Sequence, residues 1–338
     1  MLKKPIPITQ HNLNNDKIEF VSISCLTYNH ERFIRDAIEG FLIQRTTFPV
    51  KIIIFEDCST DNTANIIREY QTKYPSLFNV FFQTENTWNK PIRKKAIEPY
   101  YKAHSNSKYI ALCEGDDYWI DPLKLQKQVD FLEQNQDYGL VYTEINRIDE
   151  EGNIIDKSFL KNDPAGFCQT FNDYLINAPF RAPCTWLFRR SLYKERSKIY
   201  TVGDFPRILD FVAQSKIYKL EDTTANYRVL TKSASHFISL DKTYSFMKGI
   251  YEIQMDYAEE YSVSDEVIKA IKIKYAWISY NFAVAQHDII QIKAADKLLI
   301  GHPEVTYKFK VIQLLSKLKI GRELVRIRLN RKLGFHKF

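Results

Sequence analysis

Val50-Lys-Ile-Ile-Ile-Phe-Glu-Asp-Cys-Ser-Thr-Asp-Asn-Thr63 decides the fold. Its first half, Val50 to Phe55, is a β-branched run bounded by charge, the pattern of a parallel strand buried on both faces. Two acids follow directly, and Ser59, Thr60 or Asp61 then caps a helix that runs to about Tyr74, before Pro75. Strand, polar turn and helix in succession is the repeating unit of an α/β domain. The turn holds no glycine, so neither the dinucleotide fingerprint nor a P-loop is present. A nucleotide bound here must be recognised by side chains, which disfavours a nicotinamide-dependent dehydrogenase.

The alternation extends on both sides. Phe20 to Leu26 reads as a strand, and Glu31 to Gln44 as a helix with Phe33, Ile34, Ala37, Ile38, Phe41 and Leu42 at helical spacing. Asn79 to Gln83 is a third strand and Lys90 to His104 a basic helix. Tyr109 to Cys113 is a fourth strand, followed by Glu114-Gly-Asp-Asp117; Asp121-Pro122 then opens a helix with a cap and a first-turn proline. Gly139 to Ile148 is another strand, and Glu150 to Asn153 a turn. Past Asp156 we expect a short helix at Gln169–Asn177, a strand at Cys184–Phe188 and a helix at Phe205–Gln214. After about Ser239 the strand signals stop, and the rhythm of Ile268, Ile271, Tyr275 and Ile278 is helical. The expected organisation is an N-terminal arm (1–17), an α/β domain with a mostly parallel sheet (18–239) and a helical region (240–338).

The composition, 45% hydrophobic and 26% charged, is that of an ordinary globular protein. The five cysteines form no C-x-x-C pair, which argues against a zinc knuckle or disulfide framework and for a reducing compartment. Neither a signal peptide nor the roughly 20 apolar residues of a membrane span is visible, so a cytoplasmic protein is expected. From Tyr307 to Phe338 ten Lys or Arg stand against Glu323 alone, a net +9, so the rest of the chain carries −2 of the total +7. With Leu314, Leu315, Leu318, Leu324, Val325, Ile327 and Leu329, these bases predict amphipathic helices that hold the protein on an anionic membrane surface, on its inner face. No nucleic-acid motif accompanies them, and nucleic acid is not an expected partner.

Ligands of open α/β sheets bind at the carboxyl ends of the strands. Two such ends carry paired acids here, Glu56-Asp57 and Asp116-Asp117, as a hard cation bridging to phosphate oxygens requires.

These stretches together resemble the family 2 glycosyltransferases with the GT-A fold. The resemblance rests on Val21-Ser-Ile-Ser-Cys-Leu-Thr-Tyr-Asn29, Glu56-Asp-Cys-Ser-Thr-Asp-Asn-Thr63, Glu114-Gly-Asp-Asp-Tyr-Trp119, Asp121-Pro-Leu-Lys-Leu-Gln-Lys-Gln-Val129 and Gly203-Asp-Phe-Pro206, and covers roughly residues 20–236. It implies donor contacts from Thr27, Tyr28, Asn29, Asp57 and Asn86, with Arg93 and Lys94 near the diphosphate. Asp116 and Asp117 match the DxD-type motif, in which the last acid ligates Mn2+ or Mg2+ and the first approaches the ribose. His236 falls near a further metal-ligand position, and Asp204 matches the general base. The implied reaction is inverting transfer of a sugar from a nucleotide diphosphate, UDP by expectation, to a saccharide or lipid-linked saccharide acceptor, in bacterial surface polysaccharide synthesis. Leu26 stands where proline is frequent, and Glu56-Asp57-Cys58 replaces the commoner Asp-Asp-Gly; Cys58 in particular excludes an easy left-handed backbone.

Two other functions share parts of this pattern. A nucleotidyltransferase shares the α/β core and acidic site, but its glycine- and Arg-Lys-rich loop after the first strand is replaced by Thr27-Tyr28-Asn29-His30. A non-catalytic nucleotide- or polysaccharide-binding protein would need neither the acid pair nor a base at position 204.

Overall fold

In the computed structural model, which describes residues 4–11, 20–163, 165–196, 198, 200, 202–230, 239–299 and 307–333, strand–helix alternation begins at once. The strand β1 (Ile6–Pro7) precedes β2 (Val21–Thr27), α1 (Ile34–Leu42), β3 (Arg45–Thr46), β4 (Val50–Glu56), α2 (Thr63–Lys73), β5 (Phe78–Phe82) and α3 (Arg93–Ala103). There follow β6 (Tyr109–Leu112), β7 (Tyr118–Trp119), α4 (Lys124–Gln134), β8 (Tyr138–Ile148), β9 (Ile154–Asp156), α5 (Phe171–Asn177), β10 (Leu187–Arg189), α6 (Asp204–Gln214) and β11 (Lys216–Arg228). The chain then continues as α7 (Leu240–Glu260), α8 (Asp265–Gln286), α9 (Ile289–Leu299), α10 (Tyr307–Ser316) and α11 (Lys319–Leu333).

Nine strands form one mixed sheet in the order β5-β4-β2-β6-β10-β8-β11-β7, with β9 paired to β8. The half that carries the sequence motifs, β5-β4-β2-β6, is parallel throughout, as the buried apolar runs require. The other half is not: β10 enters antiparallel between β6 and β8, and β7 runs antiparallel to β11. Val21, Ile23, Cys25, Ile52, Ile54 and Ala111 are fully buried in the parallel half. Helix α1 buries Ile34, Ala37, Ile38 and Phe41, one face at helical spacing. A Cβ on Gly40 would lie 2.8 Å from the Trp119 backbone nitrogen, so a side chain there would lift α1 off β7.

The longest strand, β11, carries no strand pattern in its sequence. Its stretch Lys216 to Arg228 is rich in charge, and its pairing with β8 shifts register at Leu220/Thr223 and Thr223/Ala225, which breaks the two-residue rhythm that marks a strand. Helix α4 starts at Lys124, later than Asp121-Pro122 suggested; Asp121 Oδ1 accepts the Leu123 N–H at 2.8 Å and turns the chain into it. The Cys184–Phe188 strand is in fact a 3-10 turn, Pro183–Thr185, leading into β10.

The chain divides into two compact units. One contains the sheet and residues 180–195 and 210–229; the other contains 170–179, 196–209 and everything from Leu230 onward, so α6 begins in the second and ends in the first. The second unit is helical, as expected after Ser239. Its core joins α8 to α11 through Ala276, Tyr280, Val284, Ala295, Leu299, Ile312 and Val325. Helix α5 is set by a reciprocal capping box between Thr170 and Asp173, and the Gln254 amide donates to the Leu175 and Ile176 carbonyls at its far end.

Candidate active site

Because β5, β4, β2 and β6 are parallel neighbours, the loops that leave their carboxyl ends open on one edge of the sheet. Backbone bonds join those loops in series. Asp57 N–H donates to the Thr27 carbonyl at 3.1 Å, Gln83 N–H to Glu56 at 2.9 Å, and Gly115 N–H to Leu26 at 3.1 Å. The approach at Gly115 admits no side chain, since a Cβ would meet Thr27 Oγ1 at 2.6 Å and His30 Nδ1 at 2.9 Å. Gly115 is therefore what lets the acidic loop lie against Thr27.

Asp57 is the centre of the first cluster. Its Oδ1 accepts from Thr87 N–H at 2.9 Å and Thr87 Oγ1 at 2.7 Å, and Oδ2 accepts from Arg93 Nη1 at 3.0 Å. Asn86 donates its side-chain amide to the Asp57 carbonyl at 3.2 Å. The Asp57–Arg93 pair is largely shielded from water, and the guanidinium also lies 4.8 Å from the Trp88 ring centroid. Three of the residues singled out in the sequence, Asp57, Asn86 and Arg93, thus form one assembly. Lys94, the next residue on α3, is exposed and is not part of it. Thr87 and Trp88 were missed, although they follow Asn86 directly; Trp88 is more than half exposed beside a buried pair.

The second cluster joins the starts of α1 and α2. Asn29 Oδ1 accepts from Thr60 N–H at 2.8 Å, and the Asn29 N–H donates to Ser59 Oγ at 2.9 Å. Asp61 Oδ1 accepts from Thr63 N–H and Oγ1 at 3.0 and 2.6 Å, while its Oδ2 accepts the Glu31 N–H at 3.1 Å. Glu31 returns the bond through Oε2 to the Asn62 N–H at 2.9 Å. Tyr28 stands exposed at the rim, and Thr27 is buried against His30 at 3.2 Å. Cys58 corrects an expectation. It takes the left-handed conformation at φ +60° despite its side chain, at a cost of about 1 kcal/mol. Its neighbours hold it there: Glu56 Oε1 accepts the Ser59 N–H at 2.7 Å on the far side of the turn.

The third cluster is the acidic loop, and it gives its two adjacent aspartates different surroundings. Asp117 is buried, its Oδ1 accepts the Arg228 N–H at 2.7 Å, and the Cys184 thiol bonds to the same carboxyl group. Burial, then the neighbouring Asp116 charge, holds its pKa well above the usual carboxylate range. The physical reason is the short pairing of β7 with β11, which draws the backbone inward one residue after Asp116. Asp116 is half-buried and Glu114 exposed, so these two, spaced i and i+2, are the acids of the loop that solvent reaches. Among the described residues no group of three or more His, Cys, Asp or Glu gathers as a metal site. A hard cation fits Asp116 with Glu114, a carboxylate set that leaves its remaining positions to phosphate oxygens and water.

Arg228 fastens this loop. Its Nε donates to the Asp116 carbonyl at 3.0 Å, Nη1 to the Asp149 and Glu150 carbonyls at 3.3 and 3.1 Å, and Nη2 to Asp36 Oδ2 at 3.0 Å. The guanidinium lies 4.5 Å from the Phe33 ring centroid and is buried. Beneath the loop lies Lys124, fully buried, with Nζ 2.7 Å from Gln128 Oε1 and 4.2 Å from the Trp119 ring. Burial lowers its pKa to about 7. Burial also pushes the Cys113 and Cys184 thiols up, which disfavours the reactive thiolate. Arg228 and Lys124 carry no signal of their own in the sequence: Lys124 stands inside a quoted motif and Arg228 outside them all, and only long-range contacts set them apart.

Asp204 is the first residue of α6, half-buried, with its pKa raised by burial and pulled down by the Arg207 charge. His236, the remaining metal-ligand expectation, lies outside the described residues.

Comparison with known proteins bears on the family and the fold. The model of Glycosyl transferase family 2 matches residues 22–197, just over half of the chain. An uncharacterised Mycobacterium tuberculosis protein is 42% identical over 132 residues, 39% of this chain and 37% of its own length. The chain therefore spans little more than a third of that curated relative. A Bacillus subtilis protein described as a putative teichuronic acid biosynthesis glycosyltransferase is 26% identical over 217 residues, 64% of this chain and 81% of that protein. Among solved structures, S. aureus TarS 1-349 superposes with a TM-score of 0.57 at 16% identity, covering 93% of this chain and 92% of that one; TarS has also been solved with UDP-GlcNAc. At that identity the likeness is one of fold, and it bears out the expected GT-A arrangement of a central sheet flanked by helices, with helices at the C-terminal end. A parallel half-sheet whose acidic loops meet at one edge, matched by the family's model across that same half, leads to one assignment: the chain belongs to glycosyl transferase family 2.

Proposed function

We propose that the protein is an inverting, metal-dependent glycosyltransferase that moves a sugar from a nucleotide diphosphate, UDP in the first instance, to an acceptor hydroxyl. The observation that carries this reading is that the Asp57–Arg93–Thr87 assembly and the Gly115–Asp116 loop leave parallel strands on either side of β2 and are both bonded to its end, at Thr27 and Leu26. In this reading Asp57, Asn86 and Trp88 recognise the base with Tyr28 at the rim, Thr27 and Asn29 shape the floor, and Arg93 and Lys94 supply positive charge toward the diphosphate. Asp116 and Glu114 hold the cation, Mn2+ or Mg2+, which when bound offsets the negative charge that develops on the leaving diphosphate. Asp204 accepts the acceptor hydroxyl's proton as the new glycosidic C–O bond forms and the anomeric carbon–phosphate oxygen bond breaks. One displacement of this kind inverts the anomeric configuration. Its raised pKa suits Asp204 to holding that proton.

A saccharide or lipid-linked saccharide is the acceptor, with surface polysaccharide synthesis as the setting; the Bacillus relative's description supports that setting. No described helix is long and apolar enough to cross a membrane, so the membrane placement we propose, at the cytoplasmic face, is peripheral. The test is a thermal-shift screen of UDP-, GDP- and dTDP-sugars with and without Mn2+, followed by turnover of the best donor. A metal-dependent shift with a sugar nucleotide and release of nucleoside diphosphate is expected. Pyrophosphate release from a nucleoside triphosphate would instead make it a nucleotidyltransferase, and a shift without turnover a binding protein. Asp204→Asn should lower kcat at least ~10²-fold with donor affinity little changed; loss of stability in proportion to activity would reduce Asp204 to a helix-terminal residue.

A further inference from the structure

Helix α11 has two apolar faces, and the unit's core uses only one. On the inner face Val325 joins the cluster of Tyr280, Val284 and Ile312, and Gly321 is so close to α10 that a Cβ would lie 2.2 Å from the Leu315 carbonyl oxygen. On a flank about 100° round the helix, Ile320, Leu324 and Ile327 recur at i, i+4 and i+7, and are 77%, 52% and 40% exposed. Leu314 and Leu318, at the end of α10 and the turn before α11, are 64% and 59% exposed. Ordinary surfaces leave single apolar residues in water; a stripe along two turns of one helix needs an occupant.

The surrounding charge says which. Lys317, Lys319 and Arg328 are exposed beside the stripe, and from Tyr307 to the end of the chain Glu323 is the sole acid, already bonded to Arg326 at 3.2 Å. A second copy of this chain would bring the same positive charge against itself, which opposes a self-complementary contact. A nucleic acid offers charge but no apolar phase, and the stripe is aliphatic with no ring for a base to stack on. Anionic headgroups above a hydrocarbon phase match both halves of the surface.

We propose that the outer face of α11, with the α10–α11 turn, is a docking surface for an anionic lipid bilayer. The stripe inserts to the depth of the acyl boundary while the lysines and arginine stay among the headgroups, as in interfacial helices. This deepens the membrane placement proposed for the enzyme and is independent of the transfer chemistry. Packing of α11 on α8 and α10 and docking of its outer face are compatible, because packing uses Gly321 and Val325 and leaves the stripe in water.

The experiment is co-sedimentation of the full chain with phosphatidylcholine vesicles and with vesicles containing 30% phosphatidylglycerol, read as a partition coefficient. Binding to the anionic vesicles that falls with added salt is expected. The triple variant Ile320→Ser/Leu324→Ser/Ile327→Ser should lose at least ~10-fold in partitioning, and Lys317→Gln/Lys319→Gln/Arg328→Gln about 100-fold. Circular dichroism melting controls for folding, which these exposed positions leave intact. Equal partitioning onto both vesicle types, no binding to either, or an apolar triple variant that binds like the parent overturns the proposal. Competition by soluble polyphosphate equal to its effect on the apolar variant would reassign the face to a polyanion. Turnover of a soluble acceptor analogue by both variants separates a failed docking surface from a failed catalytic reading.

Discussion

Replacing Arg228 with Met tests how the acidic loop is held. The substitution keeps most of the side-chain volume and removes the guanidinium, which donates to three carbonyls and to Asp36. Asp36 is half exposed, so its pair with Arg228 contributes little. The bonds to Asp116, Asp149 and Glu150 come from a buried charge, and each contributes about 1 kcal/mol net. Contact with the Phe33 ring adds roughly 0.5–1 kcal/mol. The expected loss is therefore about 3–4 kcal/mol, a large share of a marginal total of about 5–15 kcal/mol. Arg228→Lys keeps the charge but not the fork, and should lose about 2 kcal/mol. Urea unfolding at constant m measures both, and calorimetric titration of Mn2+ with donor measures the site. Because Arg228 fixes the backbone at Asp116, cation affinity in the Met variant should fall ~10-fold or more, as for other residues that orient ligands. A Met variant within 1 kcal/mol of the parent, with unchanged cation affinity, refutes the reasoning.

The remaining expectations can be checked in the same assays. Asp116→Asn should abolish cation-dependent donor binding, whereas Asp117→Asn, whose carboxyl faces Arg228 N–H and Cys184, should retain it; the opposite order in calorimetry restores Asp117 as the ligand. Arg93→Met leaves the buried Asp57 carboxylate short of a partner and should weaken donor binding ~10-fold while costing about 2 kcal/mol of stability, less than a fully buried pair because Arg93 is partly wet. His104 gives a pH test. It is buried, bonded to Ser22 Oγ at 2.7 Å, edge-on to the Tyr100 ring, and its pKa is lowered to about 4 by burial and then by Arg190. The unfolded chain binds this proton first, so stability is full above the unfolded value near 6.5 and declines by about 3 kcal/mol as pH falls toward 4. His104→Gln should flatten that slope in urea titrations at pH 7, 5.5 and 4.5, and an unchanged slope discounts His104 as its source.

Much of the parallel half of the sheet was legible in the residues because it is written locally. Uninterrupted β-branched runs mean buried parallel strands, and an acid or hydroxyl ahead of a periodic segment means a helix start. Both signals lie within a dozen residues, and they located β2, β4, β6 and the acids at their ends. The resemblance to family 2 glycosyltransferases followed from those same stretches, and the family assignment upheld it.

What stayed illegible depends on partners far along the chain. Strand β11 exists because β8 offers a ladder, and its charged, register-shifted sequence would not form a strand alone. Asp116 and Asp117 are identical in type and adjacent in sequence; only the pairing of β7 with β11, over a hundred residues later, leaves one partly in water and buries the other. Cys58 is left-handed because the bonds around Glu56, Ser59 and Asn29 outweigh a local preference of about 1 kcal/mol. The tail shows the same division. Its sequence declared both apolar surface and positive charge, but packing against α8 and α10 decided which apolar residues were consumed and which were left facing water. Local chemistry determined which elements this chain can form, and long-range contacts, each too dispersed to leave a pattern in the sequence, decided where their side chains point.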